Sequence, residues 1–308
     1  MRRWPLLLLV PVLGLILGLG ACGDGASSPP PEPRPVVVPD GALVFAAWST
    51  LHVGDTTYDL GKQRVQELDR TPYGLFVRAG HRTSFFDGET RTPIDDVDGD
   101  LLTSPDGELA AWIDRTGPER PAGQVAQVVV VRTRTGETVF STADGMGGDE
   151  GDDLGDRYEE LPPRVVDLTD DRLVWINAEG SGSYVVTDLA SGESTLRDRA
   201  PRLRPTSGWR FWSPDGEHRV SARATYRVRV RPEQPDFGHR WVRQGGWLGP
   251  HQMLVLGQDT RALRYDPRQP DTTPGYVLSC DLSSGECEQL AEVDGARDVV
   301  FPGVDETY

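Results

Sequence analysis

Ser104-Pro105-Asp106-Gly107-Glu108-Leu109-Ala110-Ala111-Trp112-Ile113 is a turn that feeds a strand, and the same turn returns at Ser213-Pro214-Asp215-Gly216 ahead of Glu217 to Arg223. Pro fixes one φ and Gly supplies a positive one, so Pro-Asp-Gly reverses the chain tightly. A second marker follows each β-rich run. Gly-Glu followed by Thr, Ser or Cys stands at Gly88-Glu89-Thr90, Gly136-Glu137-Thr138, Gly192-Glu193-Ser194 and Gly285-Glu286-Cys287. The steps from 88 to 136, from 136 to 192 and from 192 to 285 are 48, 56 and 93 residues. The last is close to twice the others, so one degenerate copy is expected between residues 194 and 285. Between the markers the chain reads as short β-rich runs without a 3.6-residue period, which predicts an all-β domain.

Strand, Asp-Gly turn, strand, strand, Gly-Glu turn, strand makes four antiparallel strands, the size of a propeller blade. The two turns resemble those of the TolB-like and WD40-like β-propellers, whose blades carry a Ser-Pro-Asp-Gly turn and later an Asp-x-x-[Ser/Thr]-Gly-Glu turn. Asp188-Leu189-Ala190-Ser191-Gly192-Glu193 and Asp281-Leu282-Ser283-Ser284-Gly285-Glu286 fit the second pattern in full, and Arg132-Thr133-Arg134-Thr135-Gly136-Glu137 fits it without the Asp. Second strands are expected at Ala42 to Trp48, Leu75 to Ala79, Glu108 to Ile113, Arg172 to Asn177, Glu217 to Arg223 and Gln252 to Gly257. That count gives a six-bladed β-propeller over residues 41–304, with 305–308 as a tail. Seven blades are the alternative, should the span from Phe140 to Arg164 hide irregular strands. Asp298-Val299-Val300-Phe301 has no blade after it and the first unit lacks a first strand. The C-terminal strand is therefore expected to complete the N-terminal blade, closing the ring and removing its free edges.

Ahead of this domain, Arg2 and Arg3 precede an apolar run from Leu6 to Leu19 that ends at Leu19-Gly20-Ala21-Cys22 and turns polar at Asp24. This is the layout of an export signal over residues 1–21, and the run is too short for a good spanning helix. The four residues ending in Cys22 resemble the lipobox of bacterial lipoproteins, and the chain looks like an actinobacterial-type envelope lipoprotein. That resemblance implies a lipidated Cys22 and a protein anchored to the extracytoplasmic face of the cell membrane; an ordinary secretory signal is the alternative. Residues 22–40 hold Pro29, Pro30, Pro31, Pro33, Pro35 and Pro39 and read as an extended tether. The remaining thiols, Cys280 and Cys287, then lie in an oxidising compartment and flank a turn rich in Asp, Ser and Gly. A disulfide across that hairpin is expected. Half of a metal site would need partner ligands at matching spacing, and none are present.

The chain has 308 residues, 37% hydrophobic and 26% charged, with a formal net charge of −16. Such a composition is globular, and the acid excess argues against a nucleic-acid partner, whose phosphates need a cationic surface. No Gly-x-Ser-x-Gly elbow, no His-Glu-x-x-His and no phosphate-cradling Gly-rich loop with Lys occurs, so no catalytic residue is assigned. Gly180-Ser181-Gly182-Ser183 reads as a hairpin loop, and Asp95-Asp96 and Asp170-Asp171 fall at turns, where Asp bonds the nearby backbone. His52, His81, His218, His239 and His251 are scattered one per blade or fewer and read as loop histidines; no metal site is assigned. From Asp144 to Glu160 eight acids and one base form a Gly-rich insertion between the third and fourth blades, read as a solvated loop. Calcium is the cation such spacing would suit, but the EF-hand order is absent and no cofactor is expected.

Between Arg197 and Arg243 the sign reverses: twelve Arg face five acids, interleaved with Trp209, Phe211, Trp212, Tyr226, Phe237 and Trp241. In Thr225-Tyr226-Arg227-Val228-Arg229-Val230-Arg231 the period of two puts three Arg on one face of a strand and two Val on the other. Those Arg either pair with acids elsewhere on the protein or form a docking patch for an anionic envelope partner. Arg227, Arg229, Arg231, Trp209, Trp212 and Trp241 are the candidate patch, since Arg and Trp are the usual anchors of interfaces. The function expected is a non-catalytic extracytoplasmic scaffold that binds an envelope protein or anionic polymer. The alternatives are a propeller enzyme of hydrolase, lactonase or lyase type with its site in the central channel, and a propeller that binds calcium or a solute.

Overall fold

The computed structural model describes residues 34–303 except 40, 95–96, 150, 152, 179–182, 200, 202–209, 214–216, 223–227 and 261–268, and describes only the backbone at 98–100, 210–212 and 222. Cys22 and the signal segment therefore lie outside the described residues, as do Gly180 to Gly182 and Asp95-Asp96.

Among the described residues the regular structure is antiparallel β apart from one short α-helix and one 3₁₀ turn. The first sheet begins with β1 (Val44–Ala47), β2 (Thr50–Val53) and β3 (Thr56–Asp59); the second is β4 (Val65–Thr71), β5 (Gly74–Ala79), β6 (Arg82–Phe86) and β7 (Arg91–Ile94). The third contains β8 (Val97–Thr103) and β9 (Leu109–Asp114), then a small side hairpin of β10 (Glu119–Arg120) and β11 (Gly123–Gln124), then β12 (Gln127–Arg132) and β13 (Thr138–Thr142). After α1 (Leu154–Glu160) the fourth sheet is β14 (Arg164–Leu168), β15 (Arg172–Ile176), β16 (Tyr184–Asp188) and β17 (Ser194–Arg197). The fifth is β18 (Arg210–Trp212), β19 (Arg219–Ala222) and β20 (Val228–Arg231); the sixth is β21 (Trp241–Trp247), β22 (Gln252–Gln258), β23 (Pro274–Asp281) and β24 (Cys287–Asp294). A 3₁₀ turn at Ala296–Asp298 leads into β25 (Val299–Val300), which pairs with β1 through Ala46↔Val300 and Ala47↔Val299. The first sheet thus has the order β25-β1-β2-β3.

Each expected second strand is the second strand of a sheet. These strands are close to continuous apolar runs, such as Leu254-Val255-Leu256 on β22, because both faces are covered. The outer strands are polar, and β17 is exposed along its whole length. A free edge rich in polar side chains is poorly suited to pair with another chain.

The two repeated turns have a local hydrogen-bond logic. Ser104 N–H donates to Leu109 O (2.9 Å), and Leu109 N–H donates back to Ser104 Oγ (2.9 Å). Ser213 and His218 repeat both bonds, at 2.8 and 2.9 Å. In the Gly-Glu turns Gly136, Gly192 and Gly285 all sit at φ between 74° and 76°, a left-handed conformation that favours Gly. Their N–H groups reach back to the carbonyls of Arg132, Asp188 and Asp281. Thr135, Ser191 and Ser284 each accept the N–H of the following Glu at 3.3 Å. The motif Asp, then Ser or Thr, then Gly-Glu is therefore a list of turn acceptors. Gly88-Glu89-Thr90 occupies the same place between third and fourth strands but forms a shorter turn, in which Asp87 accepts from Glu89 and Thr90. No fourth strand follows β20 among the described residues, which accounts for the missing copy of the marker.

Two stretches depart from the sequence reading. Val38 was expected in an extended tether, yet it is 1% exposed and packs in the core with Val44, Leu51 and Leu75. Arg34 N–H and Nη1 donate to Arg134 O and Thr133 O, and the Arg34 guanidinium lies 4.3 Å over the Phe85 ring. The apolar pair Val37-Val38 and an Arg able to cap two turn carbonyls thus fix residues 34–39 to the second and third sheets. The acidic insertion, expected as a solvated loop, contains α1, capped by Asp153, which accepts from Gly155 and Asp156. Tyr158 on α1 is buried; its hydroxyl accepts from Ala126 N–H (2.9 Å) and donates to Met146 O (3.0 Å). A single aromatic in this seven-residue helix is enough to dock it, a signal that the density of acids hides. Among the described residues of 143–163 no strand occurs.

Cys280 and Cys287 stand opposite each other on β23 and β24 and form the expected disulfide. Closing so short a loop stabilises the fold by about 2.5 kcal/mol through the entropy of the unfolded chain. The Cys280→Ala/Cys287→Ala variant should melt about 5–10 °C lower than the parent in a calorimetric scan. An unchanged midpoint would show that the hairpin is already fixed by its ladder.

Candidate functional site

On β20 the expected alternation is present: Val228 and Val230 are buried with Val220, Met253 and Val255, while Arg229 and Arg231 are exposed. The register with β19 places Arg219 directly opposite Arg231, and Ser221 opposite Arg229. Residues opposite each other in a ladder share a face, so Arg219, Arg229 and Arg231 lie together on the face turned away from the core. Like charges directly opposite destabilise a sheet. Among the described residues no ion pair is formed by any of the three. Trp241, at the start of β21, is half-buried with the Arg240 guanidinium 5.5 Å over its ring. Arg227 and Trp209 lie outside the described residues, and only the backbone of Trp212 is described, pairing with Arg219.

In the insertion that was a candidate cation loop, one carboxylate and two carbonyls have partners within the protein. Asp153 caps α1, and Arg120 on β10 donates to Gly147 O (2.8 Å) and Ala143 O (3.0 Å). Asp153, Asp156, Arg157 and Glu160 line a shallow cleft beside Ala178.

The five histidines are not all isolated. His52 stacks on Phe45 with ring centroids 4.2 Å apart, and burial pushes its pKa below the usual histidine value. His81 is exposed. His239 stacks on Tyr276 and lies 3.2 Å from an oxygen of Asp259. His218 and His251 meet across the fifth and sixth sheets, with ring centroids 6.3 Å apart and planes nearly perpendicular. One donor atom each from Glu217, His218 and His251 lies within 4.8 Å of the other two. His251 also borders the last Gly-Glu turn, since Leu282 N–H donates to its carbonyl. The N–H groups of Ser283 and Ser284, with the charge of nearby His251, hold the Asp281 carboxyl below the usual carboxylate range. A carboxylate and two imidazoles in that space form a set of metal-ligand type, which the spacing of the histidines in sequence did not show. The available signal was alignment of the turns: Glu217-His218 follows Ser-Pro-Asp-Gly as Glu108-Leu109 does.

No protein-family model and no curated protein matches the chain. Among solved structures it is similar to a TolB-type protein of Agrobacterium tumefaciens, with a TM-score of 0.41 and 12% identity over 82% of this chain and 89% of that one. Hsv2 of Kluyveromyces lactis gives a TM-score of 0.37 and 13% identity, covering 83% and 84% of the two chains. An oligogalacturonate lyase in complex with manganese gives 0.35 and 13%, covering 84% and 77%. No residue role passes from them to this chain. The propeller reading rests on the run of antiparallel units, five of four strands and one of three among the described residues, and the site on the side chains described above.

Proposed function

We propose that the chain is a six-bladed β-propeller, closed by β25 and anchored through a lipidated Cys22, that binds an anionic partner on the extracytoplasmic face of the cell membrane. Six successive sheets, the pairing of β25 with β1 and the chain's resemblance to envelope lipoproteins support the first part. The observation that carries the binding role is the cationic row on β19 and β20. Arg219 and Arg231 repel each other across the ladder, a cost that a bound carboxylate or phosphate surface would turn into an attraction. Arg suits this task because its planar fork engages acidic groups in a bidentate manner.

Membrane fractionation followed by cross-linking in the native cell tests both halves. The native protein should enter the detergent fraction and capture a defined acidic partner. Cys22→Ser should lose the first property. Arg227→Ser/Arg229→Ser/Arg231→Ser should lose the second, with its melting temperature unchanged. Retention of the same partners by the triple variant, or capture of none by the native chain, would overturn the docking role.

A further inference from the structure

First-to-second-strand turns of neighbouring sheets meet between the second and third sheets and between the fifth and sixth, and what they place there differs. Between the second and third sheets the contact is a closed hydrogen bond: the Tyr73 hydroxyl donates to Glu108 Oε1 at 2.6 Å. Between the fifth and sixth sheets the equivalent positions hold Glu217, His218 and His251. The equivalence is fixed by backbone bonds. Ser104–Leu109 and Ser213–His218 share the reciprocal pair already described. The carbonyls of Glu108 and His251 each accept an N–H from the Gly-Glu turn of their own sheet, from Thr133 and Leu282.

His218 stands where the third sheet has Leu109, and both residues are 7% exposed. An imidazole in place of Leu at such a position is costly unless its nitrogens are engaged. Nδ1 of His218 is buried and has no hydrogen-bond partner among the described residues. A metal ion satisfies an imidazole nitrogen in the way that a buried protein donor would, and two imidazoles with one carboxylate are a donor set of borderline softness. Donors around a tetrahedral ion lie about 3.4 Å apart, from bond lengths near 2.1 Å, so the present separations of up to 4.8 Å must shorten by about 1.4 Å at most.

We propose that Glu217, His218 and His251 bind one divalent ion of the zinc class between the fifth and sixth sheets, leaving a fourth coordination position for water or a group from a partner. Calcium and magnesium, which take oxygen donors, are disfavoured by the two imidazoles. The bound ion would cross-link the two sheets.

The test uses the mature chain, stripped with a chelator and titrated with zinc chloride while bound metal and melting temperature are followed. One zinc per chain is expected, with a rise in melting temperature of about 5 °C when free zinc exceeds the dissociation constant about 100-fold. Calcium or magnesium chloride should produce no shift. His218→Leu, which installs the side chain used at the equivalent place in the third sheet, should fold and lose the zinc response. His251→Gln should weaken zinc binding at least about 10-fold. The site is refuted if the stripped wild-type chain takes up no zinc at micromolar concentration, or if both variants keep the same stoichiometry and shift, which would place the metal on other surface groups.

Discussion

Arg64→Ala is expected to lower the unfolding free energy by about 3 kcal/mol, because it strips the cation from a buried carboxylate at the place where the two ends of the domain join. Asp298 is 1% exposed, and its Oδ1 lies 3.0 Å from Arg64 Nε. Its other oxygen accepts the N–H of Asp271 at 2.6 Å, and Arg64 Nη2 donates to Arg297 O at 2.9 Å. These bonds hold the 3₁₀ turn that delivers β25 to β1. The strand itself contributes two register pairs, too few to hold the C-terminus by its own ladder. Arg243 on β21 donates to the Ala296 and Val299 carbonyls from the opposite side, and Gly303 N–H donates to Leu68 O on β4. Gly245 lets the Phe301 ring lie against β21, where any Cβ would come within 2.9 Å of it. Urea denaturation of the variant measures the loss. Adding Asp298→Asn should restore part of it, since the uncompensated charge is then removed. A single variant within about 0.5 kcal/mol of the parent would show that the pairing of β25 with β1 does not depend on this pair.

The second large effect belongs to the core between the third and fourth sheets. Trp175 on β15 is 1% exposed, opposite Val165 and Val185 in the ladder, and packs with Ile113, Val128 and Tyr158. Trp175→Ala should cost about 3–5 kcal/mol through lost transfer energy and the cavity left behind. The indole N–H is buried without a partner among the described residues, so the native side chain already carries a desolvation cost. Trp175→Phe removes that donor while keeping most of the ring, and should cost less than about 1.5 kcal/mol. Equal losses in the two variants would mean that the N–H is satisfied and contributes to stability. Because Tyr158 on α1 shares this cluster, the Ala variant should also loosen the acidic insertion, and faster amide exchange at Ala126, whose N–H donates to the Tyr158 hydroxyl, would register it.

The parts of this fold that could be read from the sequence are those whose hydrogen bonds close within a few residues. Ser-Pro-Asp-Gly ends in a bond between residues five apart, and the Gly-Glu turn between residues four and five apart. Their positions therefore located the second strands of the five sheets that carry them, while the first sheet carries neither. The Cys280–Cys287 pair was legible for the same reason, being directly opposed across a short hairpin. The alternation at Val228 to Arg231 was legible because a strand has a period of two, whatever it packs against. Residues 34–39 and α1 were misread because composition averages over a segment. A single Val38 or Tyr158 in a hydrophilic stretch does not change the average, yet each one buries enough surface to fix its segment to the body.

Which residues meet across sheets was outside the reach of sequence. His218 and His251 are 33 positions apart, and Arg64 and Asp298 are 234. Their encounters depend on how neighbouring sheets rotate against one another and on the C-terminal strand returning to β1. Short-range backbone chemistry decides the local turns, the strands they punctuate, the hairpin disulfide and the outward row of Arg, and these can be read along the chain. The Glu217, His218 and His251 cluster and the buried Asp298 emerge only on folding, because contacts between distant segments are set by packing of whole sheets and leave no period in the chain.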